Sequence, residues 1–425
     1  MQVTLDVRYP LAPAAASCNT AWVQSVFGMD ASRPGQLVIA DSVPLEILPG
    51  QILLFLGPSG SGKSSLLTET LRQVSASLDP ELNPAGQVET RIEPGSAALI
   101  DRLDLPADEA AALLTSCGLG EGPLLLRTVD QLSQGQRYRF AVAAAIASGL
   151  RTIAADEFCA ALDRTCAKVL AGNLRKLADR RGLSFLVATT HEDLTEALGP
   201  DTIVRPGAGG CVEVSPQRPF RRNSPLVAGL EMYSGTPADW AYFAGWHYRG
   251  KHLGPVRQVV LLFDGTQPAG ICVLGPGPLS SSARNRLFGL DRLPRRIAAE
   301  VVNRHFVSVT RLVLAPRWRG AGIASRFLRA VACQCDVPWV ELASEMGHLS
   351  RFAEAAGFVA IGRGRDHLRT AGGGIAPADP GRRGGAYSAA NCTPATRRQQ
   401  ARRRRFSRPV CYLFDNRRPE GRSEP

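Results

Sequence analysis

Apolar and polar positions alternate along this chain in two blocks with a break between them. Over residues 1–215, apolar runs of strand length are interleaved with amphipathic stretches of helical period, an α/β pattern. Gln51–Leu56 is an unbroken apolar run after its first residue, as a strand buried on both faces requires. Arg151–Ala155 and Phe185–Thr190 predict two further strands. Residues 216–224 carry Pro, Arg, Asn and Ser without periodicity and read as a linker. Residues 225–370 return to α/β patterning, with strands expected at Leu312–Leu314 and Val340–Ala343. Residues 371–405, rich in Gly, Ala, Pro and Arg, read as a flexible basic insert. Within the remaining 406–425, Pro409–Phe414 predicts a short strand able to rejoin the preceding domain. No internal repeat interrupts this organisation.

The first block carries phosphate chemistry. Gly57-Pro58-Ser59-Gly60-Ser61-Gly62-Lys63-Ser64 follows the predicted strand and leads, through Ser65, into a helix. The spacing is that of a P-loop. Its glycines let successive backbone N–H groups wrap a phosphate, Lys63 reaches the β- and γ-phosphates, and the Ser64 hydroxyl ligates Mg²⁺. The helix N-terminus adds its dipole. A second strand ends in Asp156-Glu157, a pattern in which Asp156 holds Mg²⁺ and Glu157 acts as general base.

Three more segments carry a resemblance. Leu132-Ser133-Gln134-Gly135-Gln136-Arg137 resembles the LSGGQ signature of ABC ATPases, with Gln at the third position. Ala161-Leu162-Asp163 resembles their D-loop. His191, after the strand Phe185–Thr190, resembles their switch histidine, although alone it reads as an ordinary strand-end histidine. The resemblance covers residues 40 to 205. It implies two heads that dimerise with ATP between the P-loop of one and the signature of the other. Ser133, Gly135 and Gln136 then face the opposite head's nucleotide, with Asp163 beside it, and His191 meets the γ-phosphate in its own head. ATP and Mg²⁺ are the implied ligands.

Two departures from the family stand out. No Gln occupies the Q-loop position, where the strand-like Ala97–Ile100 ends at Asp101. Only a small helical subdomain fits between Asp101 and Ser133, which weighs against coupling to a membrane permease. Phe27 is the candidate aromatic for stacking on adenine.

In the second block Arg319-Gly320-Ala321-Gly322-Ile323-Ala324 fits R-x-x-G-x-A between a strand and a helix. It resembles the acyl-CoA loop of GNAT acetyltransferases, and Arg351–Phe358 resembles that family's later helix-turn-strand. The resemblance implies that Arg319, Gly320, Gly322 and Ala324 hold acetyl-CoA or another acyl-CoA. The family's Tyr acid is replaced by Phe352, so Glu341 and Ser344 are the substitute candidates. Trp246-His247-Tyr248 resembles a segment of phage Mom DNA-modification proteins; packed aromatics at a helix end explain it equally well. The expected fold is thus an α/β P-loop ABC-type ATPase domain followed by a GNAT-like α/β acyltransferase domain. The combination resembles soluble ABC-type ATPases fused to a predicted acetyltransferase, with Phe158 where transporters more often carry Pro.

Composition narrows the options. The 425 residues are 44% hydrophobic and 21% charged, enough for two or three cored domains. No apolar run is long enough to span a membrane, and the start lacks the pattern of a secretory signal. Ten scattered cysteines contain no CxxC pair, which points to reduced thiols in a cytoplasmic setting. Net charge is +12. Residues 371–425 hold twelve Arg against four acids, so this Arg-rich end is either a nucleic-acid contact through phosphates or a solvated linker. The leading expectation is an ATPase coupled to acyl transfer onto nucleic acid or protein. An ATP-dependent binding or repair machine with a non-catalytic recognition module is second, and a transporter ATPase third.

Overall fold

The computed structural model describes residues 2–12, 15–28, 35–77, 83–217, 229–247, 252–348, 350–363 and 409–417. The flexible insert 371–405, Tyr248, most of the linker and most of the Arg-rich end lie outside the described residues. The chain forms two compact units: residues 1–228 with 316–321, and 229–315 with 322–425.

The first unit begins with β1 (Gln2–Leu11), α1 (Cys18–Phe27) and β2 (Gly35–Glu46), the two strands pairing antiparallel. There follow β3 (Ile52–Leu56), α2 (Lys63–Ser77), β4 (Ala85–Gln87), α3 (Ala107–Ser116), α4 (Gly122–Leu125) and α5 (Gln134–Ala147). The unit closes with β5 (Thr152–Ala155), α6 (Arg164–Arg181), β6 (Ser184–Thr189), α7 (Thr195–Leu198), β7 (Thr202–Pro206) and β8 (Val212–Pro216). Strands β4 to β8 and β3 make one sheet in the order β4-β5-β6-β3-β7-β8, parallel except for the β8 edge.

Every residue of β3, β5 and β6 is buried. Alternation along β3 divides them between two cores. Ile52, Leu54 and Leu56 pack with residues of α3, α5 and α6, while Leu53 and Phe55 pack with β1, β2 and α2. Each such side chain contributes about 1.5–3 kcal/mol by leaving water. The strand expected at Ala97–Ile100 does not form. Leu99–Asp101 is a single 3₁₀ turn, anchored where Leu99 N–H donates to Arg127 O. Leu99 alone of these residues turns fully inward, which is too little to hold a strand in the sheet.

The second unit contains β9 (Leu230–Gly235), α8 (Trp240–Phe243), β10 (Gln258–Asp264), β11 (Gln267–Pro276), α9 (Ser282–Leu287) and α10 (Arg295–His305). It continues with β12 (Phe306–Leu314), α11 (Ile323–Cys333), β13 (Trp339–Ser344), α12 (Phe352–Ala355), β14 (Val359–Arg363) and β15 (Val410–Asp415). The sheet order is β14-β15-β13-β12-β11-β10-β9. β15 therefore lies inside the sheet, antiparallel to both neighbours. β12 and β13 are parallel over only four pairs, Phe306↔Trp339 to Val309↔Leu342. Beyond them β12 follows β11 to Leu314 while β13 follows β15 to Ser344, so the two strands part at their carboxyl ends.

Candidate nucleotide site

Register brings the site together. β3 pairs with β6 as Leu56↔Thr189, and β5 pairs with β6 as Ala155↔Val187. The segments that follow these strands, Gly57–Ser64, Asp156-Glu157 and His191, therefore emerge side by side at one carboxyl edge, where open α/β sheets bind ligands.

The loop itself is built for a close approach. Gly60 and Gly62 have φ of 77° and 97°. A Cβ on Gly62 would lie 2.4 Å from Ile39 Cγ2 of β2. Lys63 is 8% exposed, and its Nζ donates to Pro58 O at 2.6 Å. Burial lowers the Lys63 pKa and the nearby Asp156 charge works against that shift. Ser61 Oγ is buried without a hydrogen-bond partner among the described residues. A curled loop of N–H groups, a buried cation and an orphaned hydroxyl fit a phosphate. Ser64 opens the helix on its exposed side, and Ser59 and Ser65 flank the loop.

Past β5 the chain turns sharply: Glu157 and Cys159 have φ of 47° and 62°. Non-glycine residues held in this region mark a constrained site. The turn is pinned by Phe158, whose N–H donates to Ala188 O at 2.8 Å and whose O accepts from Thr189 Oγ1. Its ring is fully buried, edge-on to Tyr138. A proline at 158 would have no N–H for that bond, a physical reason for the departure noted in the sequence. Asp156 Oδ1 accepts from Glu157 N–H at 2.9 Å, and Glu157 itself is exposed. His191 is half-buried, its N–H donating to Thr189 Oγ1.

The signature caps a helix. Ser133 and Gln136 form a reciprocal capping box at the start of α5, with Ser133 exposed. Gly135 packs on the D-loop, since a Cβ there would lie 2.9 Å from Leu162 Cδ2. Asp163 caps α6 by accepting from Cys166 N–H at 3.0 Å, and the next residue, Arg164, pairs with Asp193 just beyond His191.

One residue escaped the sequence reading. Tyr9, at the exposed end of β1, donates its hydroxyl to Ser65 Oγ at 3.0 Å. Phe27 lies on α1, a helix with no buried residue, and is 68% exposed. The aromatic tied to the loop is thus Tyr9. Its signal was a lone aromatic closing an alternating strand, visible only once that strand is known to border the loop. Asp101 is exposed on its 3₁₀ turn rather than at a strand end.

Comparison with known proteins decides the family. The lipoprotein-releasing system ATP-binding protein LolD of Novosphingobium aromaticivorans is 32% identical over 198 residues, 38% of this chain and 85% of its own. The chain belongs to the ATP-binding cassette ATPases. LolD of Hyphomonas neptunium is 31% identical over 193 residues, 83% of its length. The phosphonates import ATP-binding protein PhnC of Hyphomonas neptunium is 29% identical over 205 residues, 78% of its length. No protein-family model matches the chain. Among solved structures, a dimeric ATP-binding cassette bound to ADP and Pi shares 20% identity over 52% of this chain, at a TM-score of 0.39 that supports no conclusion. The cassette is an ATP hydrolase that uses Mg²⁺.

The expected acyl-CoA residues Arg319, Gly320, Gly322 and Ala324 lie on one continuous stretch that leads into α11. Arg319 and Gly320 count with the first unit, Gly322 and Ala324 with the second. Gly322 (φ 84°) caps α11, which has no side-chain cap and no acid in its first turn. Glu341 is not a free base. It is 5% exposed and bound by Arg284, whose Nη1 donates to its two carboxylate oxygens at 3.0 and 3.2 Å. Ser344 is buried where β13 pairs with β15. His247 packs edge-on to Trp240, and Phe352 opens the short α12.

Two outcomes follow. Gly62→Ala adds both a clash with Ile39 and an unfavourable φ; it should destabilise the cassette by about 2–4 kcal/mol in denaturant melts and weaken ATP binding. Normal affinity at normal stability would remove the close-packed loop. The second concerns Glu341, which burial, against the pull of Arg284, raises from 4.5 to about 7. Below pH 4.5 the carboxyl is protonated folded and unfolded. Between about 4.5 and 7 only the folded state keeps the proton, so its contribution is lost as pH rises. Wild type should therefore lose stability relative to Glu341→Gln as pH rises through that window. A flat difference would contradict the shift.

Proposed function

We propose that the cassette works as a head-to-head dimer, each ATP enclosed by the P-loop of one subunit and Ser133, Gly135 and Gln136 of the other. The observation that carries this reading is the convergence of Lys63, Ser64, Asp156, Glu157 and His191 on one sheet edge. The backbone N–H groups of 57–65 and Lys63 bind the β- and γ-phosphates. Ser64 and Asp156 would hold Mg²⁺, which supplies charge neutralisation on the phosphate oxygens when bound. Glu157 accepts the proton of the attacking water, its position set by the strained turn that Phe158 anchors. His191 orients the γ-phosphate in its own head, and Tyr9 offers its ring to the adenine.

The relatives are named for lipoprotein release and phosphonate import. Their names favour the reading that the sequence ranked third, an ATP-binding subunit of a transporter. Among the described residues no helix is long and apolar enough to cross a membrane. The membrane component would then be a separate chain, with this one at the cytoplasmic face. Glu157→Gln should retain ATP affinity, lose at least about 100-fold in phosphate release, and accumulate dimer by light scattering. Turnover at the wild-type rate would remove Glu157 as the base.

A second reading rests on the second unit. β12 and β13 part at their carboxyl ends, and the uncapped N-terminus of α11 begins beyond β12. Such N–H groups suit a pyrophosphate, which supports acyl-CoA binding by Gly322 and Ala324 and a GNAT-like transfer role. Gly322→Glu should abolish calorimetric binding of acetyl-CoA by the full chain and leave phosphate release unchanged. A folded wild type that does not bind millimolar acetyl-CoA would make this unit a recognition module.

A further inference from the structure

The segment between β11 and β12 has no part in either reading, yet it holds an open pocket of about 370 Å³. That volume lies in the range of small-molecule sites, which are mainly apolar with a few convergent polar groups. All of the lining belongs to residues 279–302, and most of it is apolar. Val302 is 1% exposed, whereas Leu279 and Leu293 remain 43% and 40% exposed.

The wall is held rigidly. Arg284, 0% exposed, spends its donors inside the protein: Nη1 on Glu341, Nη2 on Pro278 O and Asn285 Oδ1, and Nε on Asn285 Oδ1. Asn285 in turn donates to Leu279 O at 3.0 Å. The buried ion pair thus fastens the start of the segment to β13, and the carboxamide facing the pocket is already engaged. Two polar lining side chains are left, Ser280 and Arg295, and neither makes a side-chain hydrogen bond or ion pair among the described residues. Among the described residues no acid lines the pocket. Residues 277–305 carry six Arg against two acids, 6 − 2 = +4.

We propose that this pocket binds a small organic acid, its carboxylate on Arg295 and Ser280 and its apolar body between Leu279, Leu293 and Val302. Arg295 lies at the exposed rim of the pocket, where its cation attracts a carboxylate and repels an amine. The site is separate from the α11 loop. It shares no residue with that loop: the lining ends at Val302, before the entry to β12, and the loop follows the exit of β12. The proposal therefore stands whether or not the unit binds acyl-CoA.

The test is calorimetry on the full chain with saturating Mg-ADP, using hexanoate, hexanamide and hexylamine as probes. Hexanoate should saturate one site per chain. Hexanamide, and hexanoate with Arg295→Gln, should bind at least about tenfold more weakly, as loss of a charged hydrogen-bond donor implies. Ala299→Phe, which fills the pocket, should abolish binding. Because Arg295 is exposed, Arg295→Gln should fold even if Ala299→Phe does not. Absence of saturable binding at millimolar hexanoate overturns the proposal. So does hexylamine binding as tightly as hexanoate, or an unchanged affinity in a folded Arg295→Gln chain.

Discussion

The parallel register of β5, β6 and β3 is the constraint on which the first unit depends. Each strand is buried on both faces, so neither a slip nor a flip can be absorbed at a solvent surface. With the register set, three strand ends distant in sequence share one edge. Chemistry then needs only short extensions: a loop after β3, two acids after β5, a histidine after β6. The strained turn at Glu157 persists because Phe158 is bonded to β6 and buried beneath it.

The second unit is organised by a different interaction. A guanidinium with no exposure is tolerable only when its donors are satisfied, and Arg284 meets that condition through Glu341, Pro278 and Asn285. Its consequence is positional. The segment between β11 and β12, which has few buried residues of its own, is tied to the centre of the sheet. Removal of either partner would leave a buried charge, so the pair specifies where this segment sits more than it adds stability.

The two units differ in how far their chemistry can be read. The cassette's residues meet in one place, and known relatives extend over most of their own lengths. Those relatives are named for lipoprotein release and phosphonate import, whereas the small helical subdomain and the lack of a span in this chain had weighed against a transport role. A cassette subunit needs no span when its membrane partner is another chain. The second unit has strands that part and a helix start without a side-chain cap, while its expected substitute base, Glu341, is engaged by Arg284.

The sequence by itself marked the P-loop and the Asp156-Glu157 pair, whose chemistry demands particular residues at short, fixed spacing; it marked the signature, the D-loop and His191 only through their resemblance to a family. It also determined the buried strands, whose apolar runs have few other uses. Tertiary structure alone decided three things. It set Tyr9 beside Ser65, since separation along the chain says nothing of which strand borders the loop. It engaged Glu341 with Arg284, 57 residues away, a pairing that no local pattern encodes. It opened a pocket from residues 279–302, a stretch in which the sequence marked no site. Spacing is a local property and survives in one dimension; adjacency across a sheet depends on how the chain returns, which only the folded core selects.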